Sequence, residues 1–249
     1  MRYFLELAYN GTRFYGFQKQ PQHLSIQEKI ESVLQILLRE PVEIVGCGRT
    51  DTGVHALNYY AHFDYENEFP SDFVKRLNSL LKKDIVVYGC YQVEQDCHAR
   101  FDAISRTYIY QIDTRNNPFR QETAFFLPYA DTIDTDKMEA FAHFLLEIKE
   151  FDSFCLSGTD VKTKNCQIFE SQWHFNNHQW EYRISANRFL RGMIRLIVGM
   201  HLLVGQNKID LFEIQEDIKS KRLLKGAWSV PPQGLFLTDI IYPYTKQLK

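Results

Sequence analysis

Asp51 is the one carboxylate in the run Gly46-Cys47-Gly48-Arg49-Thr50-Asp51-Thr52-Gly53-Val54-His55-Ala56. The glycines permit backbone conformations that other residues resist, so the run suits a tight loop presenting a single acid. A carboxylate held in this way can serve as a nucleophile, a general base or a metal ligand. Metal binding asks for further histidines or carboxylates nearby, and His55 is the only candidate that follows closely. A lone acid in a desolvated cleft needs an electrostatic partner to stay ionised. Taken by itself, the same run also reads as an Asp-Thr-Gly turn joining two strands.

Arginines are the partners on offer. Arg188, Arg191 and Arg195 fall at i, i+3 and i+7 of a stretch whose other residues, Phe189, Met193, Ile194, Leu196, Ile197 and Met200, are apolar. The pattern predicts a helix over Asn187 to Val204 with the three guanidiniums on one face. On a mostly buried helix they are costly unless paired with carboxylates or phosphates; the plainer alternative is a rim of solvated charge. Cys97-His98-Ala99-Arg100-Phe101, followed by Arg106-Thr107-Tyr108-Ile109-Tyr110, mixes basic and aromatic residues. Rings can stack on an extruded base while arginines hold phosphates, although tyrosines alternating on a strand more often serve sheet packing. Phe14-Tyr15-Gly16-Phe17-Gln18 is an aromatic loop, ambiguous alone, and Lys162-Thr163-Lys164 reads as a solvated loop.

These residues need a scaffold. Tyr3 to Tyr9 alternates as a strand. Ser25 and Glu28 have capping-box spacing, ahead of Ile26, Ile30, Val33, Leu34, Leu37 and Leu38 at helical period. Short strands are expected over Val42 to Val45 and Leu57 to Tyr65, a helix from Pro70 and Ser71 to about Lys83, and a strand over Ile85 to Val93. The second half repeats the theme: a strand over Thr107 to Asp113, a helix capped by Asp134 through Ile148, and a hairpin of Gln167 to Phe175 and Gln179 to Ser185 around Asn176-Asn177. A helix over Asp210 to Lys221 and a strand over Leu235 to Tyr242 close the chain. The class is α+β, two αβ halves with antiparallel or mixed sheets covered by helices on one face. The division falls softly near Phe101 to Ser105, giving halves 1–103 and 104–249.

The 249 residues carry 45% hydrophobic and 24% charged content, an ordinary globular balance. With 29 Lys plus Arg against 31 Asp plus Glu, the net charge of -2 gives no general attraction to nucleic acid, so only a local patch could supply it. The five cysteines, Cys47, Cys90, Cys97, Cys155 and Cys166, are odd in number and lack Cys-x-x-Cys spacing, which argues against a zinc site or a disulfide framework. The N-terminus has no signal-peptide pattern and no apolar run approaches spanning length, so the chain reads as soluble and cytosolic.

The string Gly-Arg-Thr-Asp-x-Gly-Val-His at 48–55 resembles the catalytic loop of the TruA family of tRNA pseudouridine synthases. Three further blocks are similar to that family in the same order: Tyr9 to Gln18, His98-Ala99-Arg100-Phe101 through Tyr110, and Phe189 to Gly199. The ending Pro232-Gln233-Gly234-Leu235-Phe236-Leu237 is similar too. The resemblance implies the pseudouridine synthase fold: two αβ halves with mostly antiparallel sheets packed side by side and a cleft between them. It implies conversion of uridine to pseudouridine at positions 38 to 40 of the tRNA anticodon stem-loop, with no metal or organic cofactor, by a homodimer. It makes Asp51 the catalytic aspartate, Tyr108 the active-site tyrosine and Arg195 the arginine paired with the aspartate. Arg195 is preferred over Arg191 because the family's arginine, apolar residues and glycine fit Arg195-Leu196-Ile197-Val198-Gly199. Tyr108, Arg49, Arg100, Arg106, Arg188 and Arg191 are the expected substrate contacts. Thr52 stands where many relatives have Ala. Thr163-Lys164-Asn165-Cys166 stands where the family often carries an arginine, and lysine does not reproduce a bidentate contact.

Three alternatives stay open at this level. The same chemistry could act on another RNA uridine, or the residues could only bind RNA. Asp51-Thr52-Gly53 is also the tripeptide of aspartic peptidases, but those need two carboxylates sharing a proton, which an adjacent arginine disfavours.

Overall fold

The computed structural model describes residues 1–154 and 163–244. In chain order the elements are β1 (Arg2–Tyr9), α1 (Ile26–Leu38), β2 (Val45–Gly46), β3 (His55–Asp64), α2 (Phe73–Leu81), β4 (Ile85–Val93), β5 (Ser105–Asp113), β6 (Phe125–Phe126), α3 (Thr135–Leu145), β7 (Ile168–Asn176), β8 (Gln179–Ala186), α4 (Met193–Gly205), α5 (Leu211–Lys219) and β9 (Leu235–Ile241). Mostly antiparallel strands and five α-helices among the described residues make the α+β class. The chain forms two compact units. One is Met1–Arg106 with the described residues from Phe236 onward; the other is Thr107–Leu235. The 1–103 and 104–249 halves read from the sequence differ from this, because β9 returns to the first unit and pairs with β3 at His55↔Phe236 and Ala56↔Leu237.

In the first unit β1 lies between β3 and β4, antiparallel to both, with Leu5 opposite Ala61 and Cys90. Ser25 caps α1 by accepting the Glu28 N–H, and α1 buries Ile26, Ile30, Val33, Leu34 and Leu38. Phe4 is as buried as Leu5. The alternation in β1 is therefore not one wet face and one dry face: the rings of His62, Tyr242 and Tyr244 pack on Phe4. The strand expected over Val42 to Val45 shrinks to Val45–Gly46. Glu31 Oε1 accepts the Ile44 N–H at 3.1 Å and Gln27 Nε2 donates to the Ile44 carbonyl at 3.1 Å, so side chains of α1 take the backbone groups a strand would use. Helix α2 starts at Phe73, later than Pro70, because Asp72 takes a left-handed φ of 56° and offers no side-chain cap.

In the second unit β8 lies between β5 and β7, and β7 and β8 form an antiparallel hairpin whose turn contains Asn177 at φ 40°. Asp134 caps α3 and Asp210 forms a reciprocal capping box with Glu213 on α5. The fully buried His201 of α4 sits among the rings of Phe141, Trp173 and Tyr182.

The helix predicted from Asn187 begins at Met193. Gly192 takes φ 70°, a left-handed conformation that stops the helix from extending backwards. Asn187 is drawn to the start of β7: its N–H donates to the Gln167 carbonyl at 3.1 Å, and its Oδ1 accepts the Gln167 N–H at 2.8 Å. Arg188 and Arg191 therefore precede the helix, and the shared helical face proposed for them with Arg195 does not exist.

Candidate active site

The loop between β2 and β3 carries Asp51, and most of its backbone is held by other parts of the first unit. The Cys47 N–H donates to the Tyr60 carbonyl at 2.8 Å. The Cys47 carbonyl accepts from Arg106 Nε at 3.2 Å and Nη2 at 2.7 Å. The Tyr59 hydroxyl donates to the Gly48 carbonyl. Tyr9 and Thr50 share a hydroxyl–hydroxyl bond of 2.8 Å. The Phe14–Phe17 loop clamps from the other side: Phe17 N–H donates to Thr50 C=O, and Gly53 N–H to Phe14 C=O, both at 3.3 Å. Beyond the loop, Gly11 N–H donates to His55 Nδ1 at 3.1 Å, and the His55 ring stacks on Phe236 with centroids 4.5 Å apart.

Within this frame Asp51 opens a tight turn. The Val54 N–H closes onto the Asp51 carbonyl at 3.2 Å, with Gly53 at φ 77°, the position of the turn that favours glycine. Asp51 is half-buried, and Arg49 and Thr52 are exposed. The turn between two strands and the presented carboxylate are thus the same object. Fixing a reactive acid by its backbone sets its position before substrate arrives, which is the condition for efficient intramolecular attack. The buried Cys47 thiol is no competing nucleophile, since burial pushes its pKa up to about 11.

Arg106 bonds the backbone of two segments. Besides the Cys47 carbonyl, Nη2 donates to the Arg100 carbonyl at 2.6 Å. It ties the Asp51 loop to the turn that carries Arg100, whose side chain is exposed. The Cys47 and Arg100 carbonyls that Arg106 bonds leave no trace in residue types, so this bridging contact was not legible in the sequence. Tyr9, Tyr59, Gly11 and Gly16 were missed because they meet the loop only once distant segments of the chain come together.

The remaining candidates stand in the second unit. Tyr108 and Tyr110 share a face of β5 but differ. The Tyr110 hydroxyl donates to the Pro231 carbonyl at 2.7 Å in a fully buried position, and burial holds its pKa far above the usual phenol. Tyr108 packs edge-on against Phe189 at 5.3 Å. Arg195, in the first turn of α4, is half-buried; its Nε donates to the Val230 carbonyl at 2.7 Å, and its own carbonyl accepts the Val230 N–H at 3.2 Å. Arg188 is half-buried and Arg191 exposed in the segment before α4. Lys164 pairs with Asp152 at 3.2 Å; Cys155, Lys162 and the Gly158–Ile168 loop up to residue 162 lie outside the described residues.

Comparison with known proteins gives one answer. The family model described as tRNA pseudouridine synthase matches residues 7–102 and 149–243. The chain is 44% identical over 245 residues to tRNA pseudouridine synthase A of Parabacteroides distasonis, covering 97% of this chain and 96% of that protein. It is 40% identical over 247 residues to the protein of that name from Porphyromonas gingivalis, covering 97% of each. It is 36% identical over 241 residues to the one from Caldicellulosiruptor bescii, covering 96% of this chain and 98% of that protein.

Proposed function

The chain belongs to the tRNA pseudouridine synthase family, an isomerase acting on uridine in tRNA, and from that premise we propose that Asp51 is its catalytic aspartate and that its targets are uridines 38 to 40 of the anticodon stem-loop. The observation that carries the assignment is the Asp51 turn, a single half-buried acid in a loop whose flanking residues are hydrogen-bonded by Tyr9, Phe17, Tyr59 and Arg106.

A uridine in a stem is stacked and paired, so it is first extruded. Tyr108 stacks on the extruded uracil, and Arg49, Arg100, Arg188 and Arg191 hold phosphates, which makes binding fall with salt. Asp51 attacks as a carboxylate, at C6 of the ring or C1′ of the ribose. The glycosidic N1–C1′ bond breaks, the uracil turns, and C5 bonds to C1′. The displaced carboxylate is regenerated, and the proton on C5 leaves with Tyr108 as base or relay. The product is an isomer of the substrate, so no oxidant, reductant or group donor is consumed. Arg195 keeps the carboxylate of Asp51 ionised. Arg106 holds the loop. A homodimer is the working assembly in this reading. Among the described residues no helix is long and apolar enough to cross a membrane.

Carbodiimide mapping of pseudouridine in tRNA treated with wild type and with Asp51→Ala tests this. Modification confined to positions 38 to 40 with wild type, and none with the variant, is expected. Modification elsewhere would reassign the target, and modification by the variant would remove Asp51 from catalysis.

A further inference from the structure

The turn 98–101 is built with unusual rigidity for a surface feature. Asp102 Oδ2 accepts the His98 N–H at 2.6 Å and the Tyr244 hydroxyl at 3.0 Å. His62 Nδ1 accepts the Ala99 N–H at 3.1 Å, and the Ala99 carbonyl accepts the Tyr242 hydroxyl at 2.6 Å. His98 Nδ1 accepts the N–H groups of Arg100 and Phe101, at 3.1 and 3.2 Å. The Arg100 carbonyl takes Arg106. Six backbone groups in four residues are thus fixed by side chains, yet Phe101 is 74% exposed.

That ring ends a column. Phe4, in the core of the first unit, stacks on His62 at 5.9 Å; His62 meets His98 at 4.6 Å; His98 meets Phe101 at 4.3 Å. The Arg100 guanidinium lies 5.6 Å from the Phe101 centroid, a cation–π distance. Asp102, which follows the ring in sequence, is engaged with the His98 N–H and the Tyr244 hydroxyl. A supported, preorganised aromatic ring with an arginine beside it matches the chemistry of a nucleobase and its phosphate. A mobile exposed ring would not, because ordering it would consume the gain.

We propose that Phe101 is a stacking platform for an unpaired base of the RNA other than the reacting uridine, with Arg100 neutralising the adjoining phosphate. The site rests on the tRNA reading above and extends it: the second contact anchors the RNA at a fixed distance from Asp51, because Arg106 bonds both the Arg100 and Cys47 carbonyls. Stacking on a π-face is tolerant of base identity, so the platform adds affinity and register rather than sequence choice.

The experiment compares wild type with Phe101→Ala, Phe101→Leu and Phe101→Trp. It measures the Kd for full-length tRNA at fixed salt, kcat and KM for isomerisation, the melting temperature, and the oligomeric state without RNA by analytical ultracentrifugation. Phe101→Ala is expected to raise Kd and KM about 5- to 100-fold with kcat within about twofold of wild type. The melting temperature and oligomeric state stay unchanged, Trp restores affinity, and Leu does not. Unchanged affinity in Phe101→Ala overturns the proposal. So does full rescue by Leu, which would make the contact merely apolar, or an altered oligomeric state, which would make the ring a protein–protein contact. A wild-type chain that neither binds nor modifies tRNA would overturn the functional reading itself, and that shows before any variant is compared.

Discussion

Gly16 is where a single methyl group should disable the site without changing the Asp51 side chain. It has φ 80°, and a Cβ built on it falls 2.3 Å from the Thr50 carbonyl oxygen and 3.3 Å from the Asp51 carbonyl carbon. Ordinary contact is about 3.4 Å, so the Thr50 carbonyl must retreat by roughly 1 Å in Gly16→Ala, and both clashing groups are backbone. The same carbonyl accepts from Phe17, and the Gly16 carbonyl accepts from Ile26 at the head of α1, so the movement cannot be absorbed locally. The positive φ costs alanine about 1–2 kcal/mol, and a weakened hydrogen bond about 1 more. A loss of roughly 2–3 kcal/mol should lower the melting temperature by about 4–12 °C at this size. A 1 Å displacement of a reacting group costs on the order of 100-fold in rate. The assay is kcat for tritium release from tRNA carrying C5-labelled uridine, at saturating tRNA, beside a calorimetric melt. Gly48→Ala is the control: its Cβ meets only Arg106 Nε, at 3.8 Å, so the fold should keep its melting temperature. Wild-type kcat and melting temperature in Gly16→Ala would refute the claim that the Phe14–Phe17 loop sets the position of Asp51.

Arg106→Gln should lower kcat about tenfold or more through loss of its bonds to the Cys47 and Arg100 carbonyls, with the salt slope of tRNA binding unchanged; a slope reduced by about 1 would make it a phosphate contact as well. Arg191→Ala, by contrast, should reduce that slope by about 1 and leave the melting temperature alone, as befits an exposed side chain; an unaltered slope would remove it from the interface. Acid should destabilise the second unit through His201, which burial pushes down to about 3 and which stays neutral when folded. The unfolded ring takes a proton below its ordinary value of 6.5 while the folded one does not. Stability is therefore full above that pH and falls by about 1.4 kcal/mol per unit as pH drops towards the folded value. Urea melts of wild type and His201→Gln between pH 7 and 4.5 should converge at low pH; parallel curves would contradict this.

Much of the scaffold was legible because caps and periodicity are local. Ser25, Asp134 and Asp210 cap helices where their types and spacing indicate, and Ile85–Val93 is a strand to the residue. The failures are places where a distant group decides. The Val42 to Val45 strand gave way to Gln27 and Glu31, which stand 17 and 13 positions before Ile44 and reach it only because the chain folds back. The first turn and a half of the expected arginine helix gave way to Gly192 and to the pairing of Asn187 with Gln167. At the candidate site, residue types pointed to Asp51 and the arginines and the family resemblance to Tyr108, but neither pointed to the supports of the loop. Tyr9 and Tyr59 act through hydroxyls that meet the loop only after β1 and β3 pair. One clue was present: Gly11 and Gly16 bracket an aromatic loop, and both stand where any Cβ would strike the backbone of residues 50–54.

The central claim is that Asp51 carries the chemistry and not the binding. Tritium release from C5-labelled tRNA, measured for wild type and Asp51→Ala with tRNA Kd determined on the same preparations, tests it most directly. Release by wild type, none by the variant, and matching Kd values are the predicted result. Release by Asp51→Ala at a comparable rate would contradict the account.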